Sequence, residues 1–292
     1  MGAAVEKMRW GTEQRLEFIE FRLFWEGAVN RSDITARFGV SVPQASGDLS
    51  LYRELAPDNI TYDASEKRYR PTDVFVPRFL KLNAERYLAQ LRAVADGVME
   101  IDDTLFTQMP SLGVMPVPSR RVEPSILKAL LAAVKERRSI QIKYQSLSDK
   151  RPKPTWREIS PHAFGFDGLR WHVRAYCHLD KDFSDFIISR CLEVGKLGTA
   201  EVSEGSDSRW HTFFEVVLMP NPGLSSDQKR TIELDYGMKG GKCVVKIREA
   251  LLYYFDKRLR LDVSERHDRP KETPVVVANR AEYDAMLRDV AY

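Results

Sequence analysis

Residues 31–55 read RSDITARFGVSVPQASGDLSLYREL, and the reading of the whole chain turns on how this stretch folds. Ser32 is placed to cap a short helix over residues 33–38, with Ile34 and Phe38 one turn apart on its inward face. Gly39 stands where that helix must stop in the left-handed conformation that favours glycine. Ser41 caps a second helix with Pro43 in its first turn, where a missing N–H costs little. Ala45, Leu49 and Tyr52 then repeat at i, i+4 and i+7 as the inward face. Upstream, Leu16, Phe18, Ile19, Leu23 and Phe24 recur at helical spacing within residues 12–28. Downstream, NITYDASEKRYRP reads as a hairpin, with Thr61 and Tyr62 on one strand, a turn over 63–66, and Arg68 to Arg70 returning. Helix, glycine turn, serine-capped helix and hairpin predict a winged helix-turn-helix.

In such a motif the second helix enters a major groove with its first residues at the base edges. Here those are Ser41, Pro43, Gln44, Ala45 and Ser46. Gln44 and Ser46 are the hydrogen-bonding readers, with Ser41 and Arg53 near phosphates. Lys67, Arg68 and Arg70 form the wing, against backbone or minor groove. Asp48, an acid in the reading helix, suits an intramolecular partner better than a base. Helical hairpins with a glycine turn also occur in domains that never touch DNA. Residues 1–70 hold 10 basic and 11 acidic groups, so any DNA binding rests on specific contacts and shape rather than on net charge. Glu13, Glu17, Glu20 and Glu26 all fall on the first helix, which can face away from a duplex.

The chain has 292 residues, enough for about two or three domains. Its 43% hydrophobic and 30% charged content is that of a globular protein. No run approaches the roughly 18 apolar residues of a membrane span, and MGAAVEKMRWGTEQ lacks a signal-peptide core. Met1–Gly2 is followed by Glu6 where a myristoylation motif wants Ser or Thr. Three cysteines, Cys177, Cys191 and Cys243, cannot all pair and form no CxxC, which places the chain in a reducing cytoplasm. After the winged head (1–72), residues 74–98 carry Phe79, Leu82, Leu88, Leu91 and Val94 at helical intervals, a helical connector and dimerisation segment (73–122). MPSLGVMPVPSRRVE, residues 109–123, ends it with three prolines. Residues 123–200 read as a helix (124–138) and then strands at 139–146, 157–166, 169–176 and 183–191, a small β-barrel or sheet. Residues 201–292 alternate strands and helices as a small α+β module: strand FEVVLMP, helix 226–236, a hairpin at MKGGK, strand 243–248, then helices through Leu259 and near 281–290.

In the middle segment the strand RWHVRAY sets Trp171, Val173 and Ala175 on one face and His172, Arg174 and Tyr176 on the other. One face can pack a core while the other presents cations and aromatics, or simply meets solvent. Around it lie YQS (144–146), REISPH (157–162) and FIISRC (186–191). This order of motifs resembles the WYL-domain transcriptional regulators of bacteria, with Trp171-His172-Val173 where the name-giving Trp-Tyr-Leu stands. The wording PH…RWHVRAY…DFIISR, with QKRTIELDYGM and VKIREALLYYFDKRLRLD further on, is similar to the CapW and BrxR repressors found beside CBASS and BREX phage-defence operons.

That resemblance implies an α+β multidomain chain with an Sm-like barrel and a carboxy-terminal dimerisation extension. It also implies a pocket for an anionic effector, a nucleotide or a short nucleic acid. Matched position by position, the pocket takes Tyr144, Ser146, Arg157, His162, Trp171, His172, Arg174 and Arg190. Guanidinium groups at Arg157 and Arg190 can fork phosphate oxygens, and Tyr144 or Trp171 can stack a base. Strand parity makes Trp171 core as readily as pocket, and the acidic run DKDFSDF (180–186) lies beside the pocket. The expected protein is a homodimeric repressor of double-stranded operator DNA with inverted half-sites. A single-strand-binding accessory module and a transcription activator are the alternatives. No cofactor, metal site or catalysis is expected: GMKGGKC is one residue short of a phosphate-binding loop and has Cys243 where Ser or Thr belongs. The five histidines form no HExxH, and no GxSxG is present. The net charge of +3 is carried by residues 123–200, with 14 basic against 9 acidic groups, which points to an anionic ligand there rather than at the head.

Overall fold

The computed structural model describes residues 10–118, 120–264 and 269–290; Met1–Gly2 and His267 lie outside them. The chain divides into two compact units, Met1–Pro116 and Val117–Tyr292. In the first, helices α1 (Trp10–Glu26), α2 (Arg31–Phe38) and α3 (Val42–Leu55) are followed by the hairpin β1 (Ile60–Asp63) and β2 (Arg68–Pro71). Leu16, Phe18, Ile19, Leu23, Val29, Ile34, Ala45, Leu49 and Tyr52 make one buried cluster, so the inward repeat of α3 is the core of the head. Gly39 ends α2 at φ 64° and Ser41 caps α3 by accepting from the Gln44 N–H. The α2 cap is Asn30, not Ser32: Asn30 Oδ1 accepts from the Asp33 N–H at 3.0 Å while the Asp33 carboxylate accepts from the Asn30 N–H at 2.7 Å.

Between the wing and the next helix the expected continuous helix over 74–98 is interrupted. Only Ala84–Ala95 is helical (α4), and Phe79 and Leu82 precede it in irregular backbone. The cause is the buried Glu20 carboxylate, which accepts from the N–H groups of Arg78, Phe79 and Leu80 at 2.7–3.0 Å. Those amides are fixed outside a helix, and Pro77 opposes one as well. Phe21, Leu91 and Phe106 then form a second cluster that packs α4 on α1.

The second unit opens with α5 (Pro124–Glu136) and a five-stranded antiparallel sheet: β3 (Arg138–Tyr144), β4 (Thr155–Phe166), β5 (Trp171–Cys177), β6 (Asp182–Ile187) and β7 (Cys191–Thr199), in the order β6-β5-β4-β3-β7. Sequence reasoning missed β7, because Gly195 and Gly198 dilute its pattern. Gly198 is required there: a Cβ would lie 2.5 Å from Ser139 Oγ. Among the described residues no ladder joins the edge strands β6 and β7. One face, with Ile140, Ile142, Tyr144, Ile159, Val173, Ala175 and Cys177, packs on Ile126, Leu130 and Ala133 of α5.

The rest of this unit is α6 (Ser208–His211), β8 (Phe213–Pro220), α7 (Ser226–Asp235), β9 (Cys243–Arg248), α8 (Leu252–Leu259), α9 (Leu261–Ser264), β10 (Val275–Val277) and α10 (Arg280–Val290). Its sheet runs β10-β8-β9, with Val216, Leu218, Leu252, Val275, Val277 and Tyr283 in the core. The three-residue β10 was not anticipated. MKGGK is a turn, closed by paired bonds between Lys239 and Lys242. No helix among the described residues is long and apolar enough to cross a membrane.

Candidate DNA-reading surface and anion sites

The exposed side of α3 carries Val42, Pro43, Gln44, Gly47, Ser50 and Arg53. Ala45 is wholly buried and belongs to the core, because it is the first member of the inward repeat. Gln44 is exposed, and its Nε2 donates to Asp48 Oδ1 at 3.2 Å. Asp48 is gripped in turn by Arg15 through Nε (2.7 Å) and Nη2 (3.1 Å). Asp48 is therefore an intramolecular partner, and it orients Gln44. The Ser46 hydroxyl donates to the Val42 carbonyl at 2.9 Å, leaving its lone pairs outward. Val42 is 56% exposed. Gly47 and Ser50 share that exposed side and were not among the residues read from sequence. The signal was there, since a mid-helix glycine costs about 1 kcal/mol against alanine and calls for a reason.

On the wing, Lys67 takes φ 53° at the hairpin tip, and Lys67 and Arg68 are exposed. Arg70 is turned back, with its guanidinium on Asp63 and Glu66, which makes it a brace of the hairpin.

The eight residues matched to the effector pocket do not form one site. Tyr144 and Arg157 share the core face at one end of the sheet, where the Arg157 guanidinium carbon sits 5.2 Å from the Tyr144 ring centre. Arg157 is 95% buried in its side chain, since only 5% is exposed. Its Nε donates to Thr155 Oγ1 at 3.3 Å, Asp180 lies 3.9 Å from Nη1, and among the described residues Nη2 has no hydrogen-bond partner. Burial pushes the Tyr144 hydroxyl up, only partly offset by the Ile187 N–H and by the charge of Arg190. Arg151 pairs with the same Asp180. The Arg151 guanidinium and the Cys177 thiol hold that carboxyl below its usual range despite partial burial. Ser146 stands next to this corner, accepting from the Ser148 N–H at 3.0 Å.

His162, His172 and Arg174 lie on the other face, beneath the carboxy-terminal elements. Of the two readings left open for this face, a solvated one is overturned: His172 is 1% and Arg174 2% exposed. Arg174 donates from Nε (2.7 Å) and Nη2 (3.0 Å) to Asp207 and approaches Asp185 at 3.5 Å. His162 Nε2 meets the same Asp207 carboxylate at 2.9 Å. Burial pushes the Asp207 carboxyl up, but His162 and Arg174 outweigh it and hold it well below the usual range. Asp185 goes the other way, raised by burial against Arg174, His172 and the Tyr254 hydroxyl. His172 Nε2 lies 3.0 Å from Asp167 Oδ2, and among the described residues its Nδ1 has no hydrogen-bond partner. Tyr254 packs over that ring at 4.8 Å. Asp180 and Asp185, both from the acidic run, are divided between the two faces.

Trp171 is neither core nor part of these clusters. It is 55% exposed, paired with Phe166 at 4.9 Å, and borders a small cavity with Leu169, Arg170 and Ser189. It is the first residue of its strand, where the inward face has already ended. Among the described residues no three His, Cys, Asp or Glu side chains gather as metal ligands.

Residues 11–93 match the BrxR transcriptional regulator winged helix-turn-helix domain, residues 125–195 the WYL domain, and residues 213–283 the BrxR transcriptional regulator C-terminal dimerization domain. A winged head, a WYL sheet and a dimerization module in this order define a BrxR-type, WYL-domain regulator. Three relatives bear the description DNA-binding transcriptional repressor CapW. That of Stenotrophomonas maltophilia is 40% identical over 97% of this chain and 94% of its own. Those of Escherichia coli strain KTE188 and Pseudomonas aeruginosa are 38% and 40% identical, each over 96% of this chain and 93% of their own. The chain belongs to the CapW family.

Proposed function

We propose that this protein is a homodimeric, non-enzymatic transcriptional repressor. Two winged heads bind inverted half-sites about one helical turn apart, or a multiple of that. The WYL sheet releases them when it takes up an anionic effector, a nucleotide or short nucleic acid, and so derepresses a phage-defence operon. The observation that carries the sensing half is Arg157. A buried guanidinium N–H without an acceptor costs about 1–3 kcal/mol, and an anion reaching it beside Tyr144 and Arg190 recovers that cost. The relatives named as repressors and the exposed first turn of α3 support the DNA-binding half. As a switch, the effector must bind the released state more tightly than the operator-bound state.

The test is operator binding to DNA upstream of the protein's own gene, read by anisotropy with and without extract of phage-infected cells. Gln44→Ala weakens duplex binding about tenfold, the loss of one base contact of roughly 1–2 kcal/mol. Arg157→Ala keeps duplex affinity within about twofold and no longer responds to extract. Unchanged release of Arg157→Ala overturns the sensing assignment. Length-dependent single-strand binding without duplex preference overturns the repressor and favours the accessory module.

A further inference from the structure

The buried contact between Arg174, His162 and Asp207 has the chemistry of a phosphate site already filled. A guanidinium fork and an imidazole converge on one carboxylate at 2.7, 3.0 and 2.9 Å, and its other side accepts the Trp210 N–H at 3.2 Å. All three side chains are at least nine-tenths buried. Beside them opens a cavity of about 350 Å3 lined by His162, Ser160, Phe183, Arg137 and residues 200–204. The cavity thus abuts the cluster at His162, with Asp207 and Arg174 buried behind that ring, and the lining includes an aromatic ring 5.6 Å from the imidazole.

The strap that delivers Asp207, residues 200–207, is lightly held. Its Glu204 pairs with Arg137, but both side chains are well exposed, 77% for Arg137 and 42% for Glu204, so that pair adds little. Asp207 also opens the short helix that carries Trp210 onto the sheet, where Trp210 lies 3.8 Å from a Cβ placed at Gly165. Moving Asp207 must disturb the seat of the dimerization module on the WYL sheet.

We propose that Asp207 is an internal competitor: a phosphate group entering this cavity displaces its carboxylate from Arg174 and His162 and frees the strap. This extends the anion-sensing reading to the second face of the sheet and does not depend on Arg157. A phosphate suits because it offers three oxygens to the same donors and brings more negative charge than the carboxylate it replaces.

The experiment titrates the full-length chain with inorganic pyrophosphate by calorimetry. Asp207→Asn keeps the shape and the capping oxygen but removes the competing charge, so its pyrophosphate affinity rises at least tenfold over the parent. The rise persists in Asp207→Asn with Arg157→Ala and disappears in Asp207→Asn with Arg174→Gln. A 5′-phosphorylated dinucleotide run beside it separates a nucleotide from a free phosphate. It binds at least tenfold tighter than pyrophosphate in Asp207→Asn, and weaker binding overturns a nucleotide as the occupant. Because the variants bear on a buried cluster, hydrogen exchange of residues 204–211 is also followed in the parent chain. Saturating pyrophosphate speeds it several-fold. Equal affinity of Asp207→Asn and parent, a gain that needs Arg157, no binding to either chain, or unchanged exchange at saturation overturns the competitor. A gain that needs Arg157 does so while leaving the Arg157 site standing; unchanged release without Arg157 together with a preserved Asp207→Asn gain does the reverse.

Discussion

Removing the Glu20 carboxylate tests how the head is joined to the helix that follows it. Glu20 is fully buried and accepts from Arg78, Phe79 and Leu80 N–H groups, with bonds of 2.7 Å from Phe79 and Leu80, and from the Tyr52 hydroxyl at 3.1 Å. In Glu20→Ala those three amides lose a charged acceptor, at about 1–3 kcal/mol each when water cannot replace it. Arg78 is exposed and Phe79 and Leu80 only half-buried, so water reaches part of the site. The net cost is about 3 kcal/mol, the low end for breaking a buried charged cluster. Tyr52 still accepts from the Asn59 amide at 3.0 Å, but its own buried O–H loses its acceptor, which belongs to the same cost. If the loss is local opening, exchange of the Phe79 and Leu80 amides speeds roughly a hundredfold, since about 1.4 kcal/mol is a factor of ten. Glu20→Gln, which keeps one acceptor oxygen, falls between. Native-state hydrogen exchange by NMR reads this directly. Protection at Phe79 and Leu80 equal to that of the parent would refute the claim that Glu20 holds this segment out of the helix.

Three further outcomes follow from other contacts. Gly47→Ala raises the thermal midpoint by a few degrees, because the site is open and alanine gains up to about 1 kcal/mol in a helix, yet it weakens operator binding if the duplex approaches there; a stabilised variant with unaltered anisotropy rejects Gly47 as a contact. Arg15→Ala strands the 98% buried Asp48 and lets Gln44 turn, costing about 2–3 kcal/mol in urea melts and several-fold in operator affinity; a midpoint unchanged within error rejects the pair as a support of α3. Burial pushes the Asp167 carboxyl up, but His172, Arg170 and the Leu169 and Arg170 amides outweigh it and hold it at about 2. Its folded value lies below the ordinary one, so its stabilisation is complete above about pH 4 and fades as the pH falls toward 2. Asp167→Asn flattens that acid limb in pH-resolved melts, and an unaltered limb rejects the assignment.

What was legible in the sequence follows from the range of the interaction. The helix pair of the head announced itself through local rules, a glycine at a left-handed stop and a serine cap before Pro43, and the cluster of Ala45, Leu49 and Tyr52 fills the position that the i, i+4, i+7 repeat assigns. The wing was legible through strand alternation around a polar turn. The α2 cap was misplaced by two residues because Asn30 and Ser32 are both good caps, and only the reciprocal Asp33 bond separates them. The helix over 74–98 was over-extended because its breaker, Glu20, is 58 residues away from Arg78. The same limit split the effector residues. Period-2 alternation set His172 and Arg174 opposite Val173 and Ala175, but it carries no information about what lies on the second face. The covering groups, Asp207 and Tyr254, come from a module 33 or more residues further on.

The placement of charge in the WYL segment now has a physical reading. Two of its cations, Arg157 and Arg174, are buried, apart from exposed ones such as Lys128, Lys135, Arg137, Arg138, Lys150, Lys153, Lys181 and Lys196. Arg174 is neutralised inside by Asp207 and Asp185, while among the described residues the buried Nη2 of Arg157 meets no acceptor. An anion held by exposed cations alone loses affinity steeply with salt. Burying Arg174 under an internal carboxylate raises the threshold there: an anion is admitted only if its gain exceeds the carboxylate it displaces plus its own dehydration. That differential is what couples binding to a change of state. A ligand that merely added to a solvated patch would have equal affinity for both states and would shift neither. On the proposed function the head, with no excess of positive charge to draw DNA in, depends on two copies aligned at the right spacing, and a modest disturbance where the carboxy-terminal module rests on the WYL sheet releases it.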